Sequence, residues 1–214
     1  MDVYKVRYTS SWFSHLNMGT IVAALGSKLD AKMRENKYEK VVLIAHSLGG
    51  NVSRNYLNHV KLTYGHTALS RFPLVILLGT PAEGSELARI KSLPGVSAQL
   101  SSLTPIAEND YLTLLEQSLS DVAVKRSNNH CTPTFVMAGY EEHPILGHIV
   151  VSQSSATRDA TELRGFPKNH IELSKPGGRD DGVYQWVDAA IKSCLGGGYQ
   201  CPTEQICTQL GDFR

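Results

Sequence analysis

Ser47 sits in Ile44-Ala45-His46-Ser47-Leu48-Gly49-Gly50, where a serine between small residues follows a β-branched apolar run. That order is the pattern of a nucleophile elbow. A strand turns sharply into a helix, and the serine at the turn is held in a strained backbone conformation that exposes its hydroxyl. Small residues two before and two after, Ala45 and Gly49, are expected to let strand and helix approach closely. The usual pattern is G-x-S-x-G, so Ala45 departs from it by one methyl group. The chemistry such a serine performs is attack on an acyl carbon, with the N–H of Leu48 as one donor to the oxyanion that forms.

A serine hydroxyl is a weak nucleophile at neutral pH and needs a general base, which a carboxylate in turn orients. Among eight histidines, His170 is best placed as that base. It lies late in the chain, between Phe166-Pro167-Lys168-Asn169 and Ile171-Glu172-Leu173, with Pro176-Gly177-Gly178 leading into a final helix. His46, adjacent to the serine and directed elsewhere by the elbow, reads as a supporting residue. His143 and His148 are the next candidates, while His15, His59, His66 and His130 read as surface or loop residues. For the acid, Glu141 is first choice because it follows the strand Thr134 to Gly139, ahead of Glu83 and Asp159. A carboxylate at the end of such a strand can reach a histidine on the next loop.

These side chains need a sheet to position them, and the hydropathy pattern provides one. Val3 to Tyr8 reads as a short strand, followed by a helix from about Asn17 to Asn36 with Ile21, Val22, Leu25, Leu29 and Met33 on its apolar face. Val41 to Ala45 reads as a strand buried on both faces. After Ser47, Val52, Tyr56 and Val60 form a helical stripe, with Arg54, Asn55 and Asn58 opposite. Leu74 to Leu78 is the next strand, Thr134 to Gly139 a later one, and Ile149 to Val151 a further extended run. The last helix is expected from Asp181 to Cys194. This alternation predicts an α/β class with a mostly parallel sheet, right-handed crossovers and helices on both faces. Residues 84 to 126 read as a helical insertion carrying many leucines, residues 1 to 195 as one domain, and residues 196 to 214 as a tail.

Composition narrows the function further. Twenty-one Lys plus Arg against 20 Asp plus Glu give a formal charge of +1, so no electrostatic footprint for nucleic acid is present. The apolar runs are far shorter than the about 20 residues a membrane span takes, and Lys5 and Arg7 interrupt any signal-peptide core. Cys131, Cys194, Cys201 and Cys207 show no C-x-x-C spacing, so no metal site is expected. With no targeting signal, unpaired thiols and a cytoplasmic location are expected.

Several blocks resemble the serine esterase and lipase-like branch of the α/β-hydrolase superfamily, which includes the serine-active-site-containing proteins and relatives of the inositol deacylases. They are V-V-L-I-A-H-S-L-G-G (Val41 to Gly50), L-L-G-T-P-A-E-G-S (Leu77 to Ser85), G-Y-E-E (Gly139 to Glu142), V-V-S-Q-S-S-A (Val150 to Ala156) and N-H-I-E-L-S-K-P (Asn169 to Pro176). The resemblance implies an α/β-hydrolase fold, Ser47 as nucleophile, His170 as base and Glu141 as the acid. It also implies cleavage of a small-molecule ester or lipid-like substrate through an acyl-enzyme, with no cofactor. The rival readings are a catalytically silent hydrolase fold used as an interaction module, and an acyltransferase using the same serine. Proteins of this branch begin with a strand ending in His-Gly that contributes the second oxyanion donor, and no such pair precedes Ser47. The expected sheet therefore lacks its first strands: either the chain is an N-terminally incomplete fragment, or Thr9 to Trp12 supplies the donor.

Overall fold

Leu74-Val75-Ile76-Leu77-Leu78 is apolar at every position and buried at every position, as a central strand covered on both faces must be. Among the described residues it lies inside a four-stranded sheet of order β1-β2-β3-β4, in which every pairing is parallel. The computed structural model describes residues 2–6, 18–81, 134–158 and 160–195. In these, α1 (Met18–Asn36), β1 (Val42–His46), α2 (Leu48–Tyr64), β2 (Leu74–Leu78), β3 (Phe135–Glu141), the short α3 (Gln153–Ala156), β4 (Glu162–Phe166) and α4 (Gly182–Leu195) follow in chain order. The expected insertion at 84–126 and the tail at 196–214 lie outside the described residues.

Alternation along the strands divides the core into two layers. Leu43, Val75, Leu77 and Val136 face Ile21, Leu25, Val52 and Tyr56 of α1 and α2. Leu74, Ile76, Leu78, Met137 and Phe166 face Val183 and Trp186 of α4. Helices thus cover both faces of a parallel sheet, the expected class. All five apolar positions expected on α1 are buried.

Four expectations fail for physical reasons. Val3 to Tyr8 is not seen as a strand: the described part, residues 2–6, has no regular structure, and Val3 is 88% exposed. A strand needs a neighbour for its N–H and C=O groups, and residues 2–6 pair with none of the described strands. The strand β1, expected to be buried on both faces, is covered less fully among the described residues: Leu43 is buried while Ile44 is half exposed. Arg54 belongs to the buried side of α2, where its guanidinium donates to the carbonyl of Arg158 at 2.7 Å. The run Ile149 to Val151 forms no strand because the N–H groups of Val150 and Val151 go to the Glu141 side chain instead. The strand β4 is absent from the sequence reading altogether. Its outer residues Glu162, Leu163 and Arg164 are exposed, and polar edge strands lack a strong apolar signal. Glu162 is held by the Trp186 indole N–H at 2.9 Å, and Phe166 packs edge-on against the same ring.

Close approach of helix and sheet at the turn depends on Gly50. A Cβ there would lie 2.0 Å from Thr80 Oγ1 and 2.5 Å from Thr80 Cγ2, whereas a Cβ on Gly49 would meet nothing within 4 Å among the described residues. Among the described residues the close approach is therefore made at Gly50. Gly50→Ala is expected to destabilise the fold by about 1–3 kcal/mol, the usual cost of overpacking. Thr80→Gly in the same chain should recover most of that loss. Urea unfolding midpoints of the single and double variants check it; equal midpoints for wild type and Gly50→Ala would refute the close contact.

Candidate active site

The carboxyl ends of β1, β2 and β3 meet at one point, and the residues just beyond them build the site. Ser47 follows β1 directly, with φ 53° and ψ −133°. This backbone region is strained for any side chain. The Ser47 N–H donates to the carbonyl of Leu78 at 2.9 Å, so the turn is tied to the end of β2. Its carbonyl accepts from the Gly50 N–H at 2.9 Å as α2 begins. Leu48 is the first residue of α2, and its N–H is among those a helix leaves without an intrahelical acceptor.

Glu141 is the last residue of β3 and is 3% exposed. One carboxylate oxygen, Oε1, accepts from the N–H groups of Val150 and Val151 at 3.1 and 2.7 Å. The other, Oε2, lies 3.1 Å from His170 Nδ1. His170 Nε2 lies 3.0 Å from Ser47 Oγ. Serine, imidazole and carboxylate thus form one continuous hydrogen-bonded line, and His170 is 2% exposed. Such a line can move the serine proton onto Nε2 while the carboxylate holds the Nδ1 proton and the ring's orientation.

The loop that carries His170 is built by local chemistry. Asn169 Oδ1 accepts from the N–H groups of Ile171 and Glu172 at 3.0 and 3.1 Å, and Glu172 Oε2 accepts from the Asn169 N–H at 3.1 Å. This reciprocal pattern is that of a capping box, and it opens the 3-10 turn Glu172–Ser174. Upstream, Lys168 pairs with Asp181 at 2.7 Å, joining the loop to the start of α4. The lysine, and then the Gly177 N–H, hold the Asp181 carboxyl down at about 2.

Gly79, after β2, makes room for the acid and base. Its φ is +52°, and a Cβ there would come within 3.0 Å of His170 Nδ1 and 3.1 Å of Glu141 Oε2. His46 lies under the base. Its Nε2–H donates to the carbonyl of His170 at 2.8 Å, and the two rings sit 4.8 Å apart between centroids. Burial, and then the neighbouring His170, push His46 down to about 4.

The structure therefore brings Ser47, His170 and Glu141 together, with Leu48 alongside. His143 and His148 are exposed on the loop after β3, and His59 and His66 are exposed on and after α2. Glu83, Asp159, His15, His130 and the segment Thr9 to Trp12 lie outside the described residues. Sequence reasoning missed the roles of Val150, Val151, Gly79 and Asn169. Of these, only Asn169 had a local signal, the N-x-x-E spacing to Glu172. Among the described residues no group of His, Cys, Asp and Glu is arranged to hold a metal ion.

No family model matches the chain, and no curated protein matches it in sequence. Solved structures do match in fold. The chain is similar to phospholipase PlaB from Legionella pneumophila, solved in complex with thio-NAD, with a TM-score of 0.54 and 15% identity over 96% of this chain and 52% of that one. It spans about half the length of that phospholipase. It is also similar to the RedJ thioesterase of the prodiginine biosynthetic pathway in Streptomyces coelicolor, with TM-score 0.42 and 17% identity over 82% of this chain and 70% of that one. For VinJ the TM-score is 0.41, with 10% identity over 80% of this chain and 71% of that one. The parallel sheet, its helical layers and the likeness to the phospholipase define an α/β-hydrolase fold.

Proposed function

We propose that this protein is a serine hydrolase that cleaves carboxylic esters through an acyl-enzyme on Ser47. The observation that carries the reading is the Ser47–His170–Glu141 line, with contacts of 3.0 and 3.1 Å. His170 takes the Ser47 proton as Oγ attacks the ester carbonyl, and returns it to the departing alkoxide. Water then repeats the sequence in reverse order and releases the acid. The Leu48 N–H is one donor to the oxyanion. The substrate is an acyl or lipid-like ester, in keeping with the fold shared with a phospholipase.

Cys194 is disulfide-bonded, which corrects the expectation of unpaired thiols. The other three cysteines lie outside the described residues. A disulfide fits an oxidising compartment, so the thiol argument for a cytoplasmic location falls. No described helix is long and apolar enough to cross a membrane.

The test is fluorophosphonate labelling of the purified protein, followed by hydrolysis of 4-nitrophenyl esters of increasing acyl length. Labelling lost in Ser47→Ala and His170→Ala, with turnover of at least one ester, is the expected result. A folded wild-type protein that neither labels nor turns over any ester would overturn the reading in favour of a silent hydrolase fold. Added alcohol distinguishes hydrolysis from acyl transfer by the product formed.

A further inference from the structure

We infer that His46 is a positioning residue for the catalytic base: its side chain grips the main chain of His170 and so sets where that imidazole stands. The inference rests on the serine hydrolase reading and adds a role that the triad itself does not contain. Its basis is geometric. His46 and Ser47 are consecutive, and both hold the same residue. Ser47 Oγ meets the imidazole of His170 at 3.0 Å, while His46 Nε2–H donates to the carbonyl of His170 at 2.8 Å. The His46 ring also lies against the His170 ring, 4.8 Å between centroids and inclined by 44°.

Two features suit His46 to this task. First, it is the last residue of β1, paired with Leu78 of β2, so its backbone is fixed by the sheet. The segment from Pro167 to Asn169 lies outside the sheet and is held through the Lys168 main chain and side chain, while among the described residues the donor to the carbonyl of His170 itself is His46 Nε2. Second, a carbonyl can only accept, so the bond to it fixes the proton on Nε2 of His46. Burial keeps the ring neutral, with its pKa pushed down to about 4. A neutral donor anchors the loop without placing a second cation beside the imidazolium that forms on His170 during catalysis. Displacing a catalytic group by about 1 Å costs about 10²-fold in rate, which is the scale on which such an anchor acts.

The experiment compares His46→Leu with His46→Gln, whose amide N–H can reach the same carbonyl. Three readouts are taken: kcat and KM on an ester the wild type cleaves, the rate of phosphonate labelling, and hydrogen exchange over residues 167–174. In His46→Leu, kcat and labelling should both fall by about 10²-fold with KM within threefold, and exchange over 167–174 should rise. In His46→Gln, kcat should stay within about fivefold of wild type and exchange should be unchanged. A folded His46→Leu variant that keeps wild-type kcat overturns the inference while leaving the hydrolase reading intact. So does a Gln variant as impaired as Leu. If the folded wild type itself neither labels nor turns over esters, the hydrolase reading fails, and the role of His46 in it fails with it. Raised exchange in the Leu variant would then record a structural tether alone.

Discussion

Replacing Ser47 by alanine is expected to lower ester kcat by about 10⁶-fold and to abolish phosphonate labelling, with the fold unchanged. The magnitude is that found when the nucleophile of a serine triad is removed, because the remaining members have nothing to activate. Packing gives no reason for a large stability loss, since only Oγ is deleted and its hydrogen bond among the described residues is the one with His170 Nε2 at 3.0 Å. The backbone sharpens the test. At φ 53° and ψ −133° the residue is strained because it has a Cβ, and strain of this kind costs about 1–3 kcal/mol. Alanine keeps that Cβ and glycine does not, so Ser47→Gly should be inactive yet more stable than Ser47→Ala by about 1 kcal/mol or more. Thermal unfolding of the two variants beside their kcat values checks both halves. An alanine variant that retains more than a hundredth of wild-type activity would sink the assignment of Ser47.

The parts of this design that could be read from the sequence are those whose signal is local. The elbow is one, because β-branched residues, a serine and glycines must follow one another within ten positions. The face of α1 is another: Ile21, Val22, Leu25, Leu29 and Met33 repeat with the helical period and all are buried. His170 and Glu141 were found by position relative to predicted strands, and they stand 29 residues apart in sequence but 3.1 Å apart in space. What escaped was decided by partners distant along the chain. Val150 and Val151 look like strand residues, yet their N–H groups serve a carboxylate on another element. The contact that makes Gly50 necessary comes from Thr80, thirty positions on, so no local pattern could reveal it. Strand β4 escaped because its burial comes from one edge and from Trp186 rather than from alternation of its own residues.

The contrast between Glu141→Gln and Glu141→Ala tests the acid more sharply than either variant alone. Both Val150 and Val151 aim their N–H groups at Oε1, at 3.1 and 2.7 Å. In the glutamine variant the amide oxygen must stay there, since turning the NH₂ group toward two N–H donors would leave three donors facing one another without an acceptor. The NH₂ group then faces His170 Nδ1, which has to become the acceptor. Its proton moves to Nε2, and the ring now presents a donor to Ser47 instead of a base. The fold keeps its hydrogen bonds while catalysis loses its tautomer, so kcat is expected to fall by about 10⁴-fold with little change in unfolding temperature. Alanine behaves differently. It strands the two backbone N–H groups of a loop whose only described acceptor for them is Glu141, and each unsatisfied buried donor costs about 1–3 kcal/mol. Glu141→Ala should therefore lose both activity and several degrees of unfolding temperature. Measured side by side, kcat and thermal unfolding separate the two functions of one carboxylate. A glutamine variant within tenfold of wild-type kcat would show that the proton on His170 is not set from Glu141, and the acid would then have to be sought elsewhere.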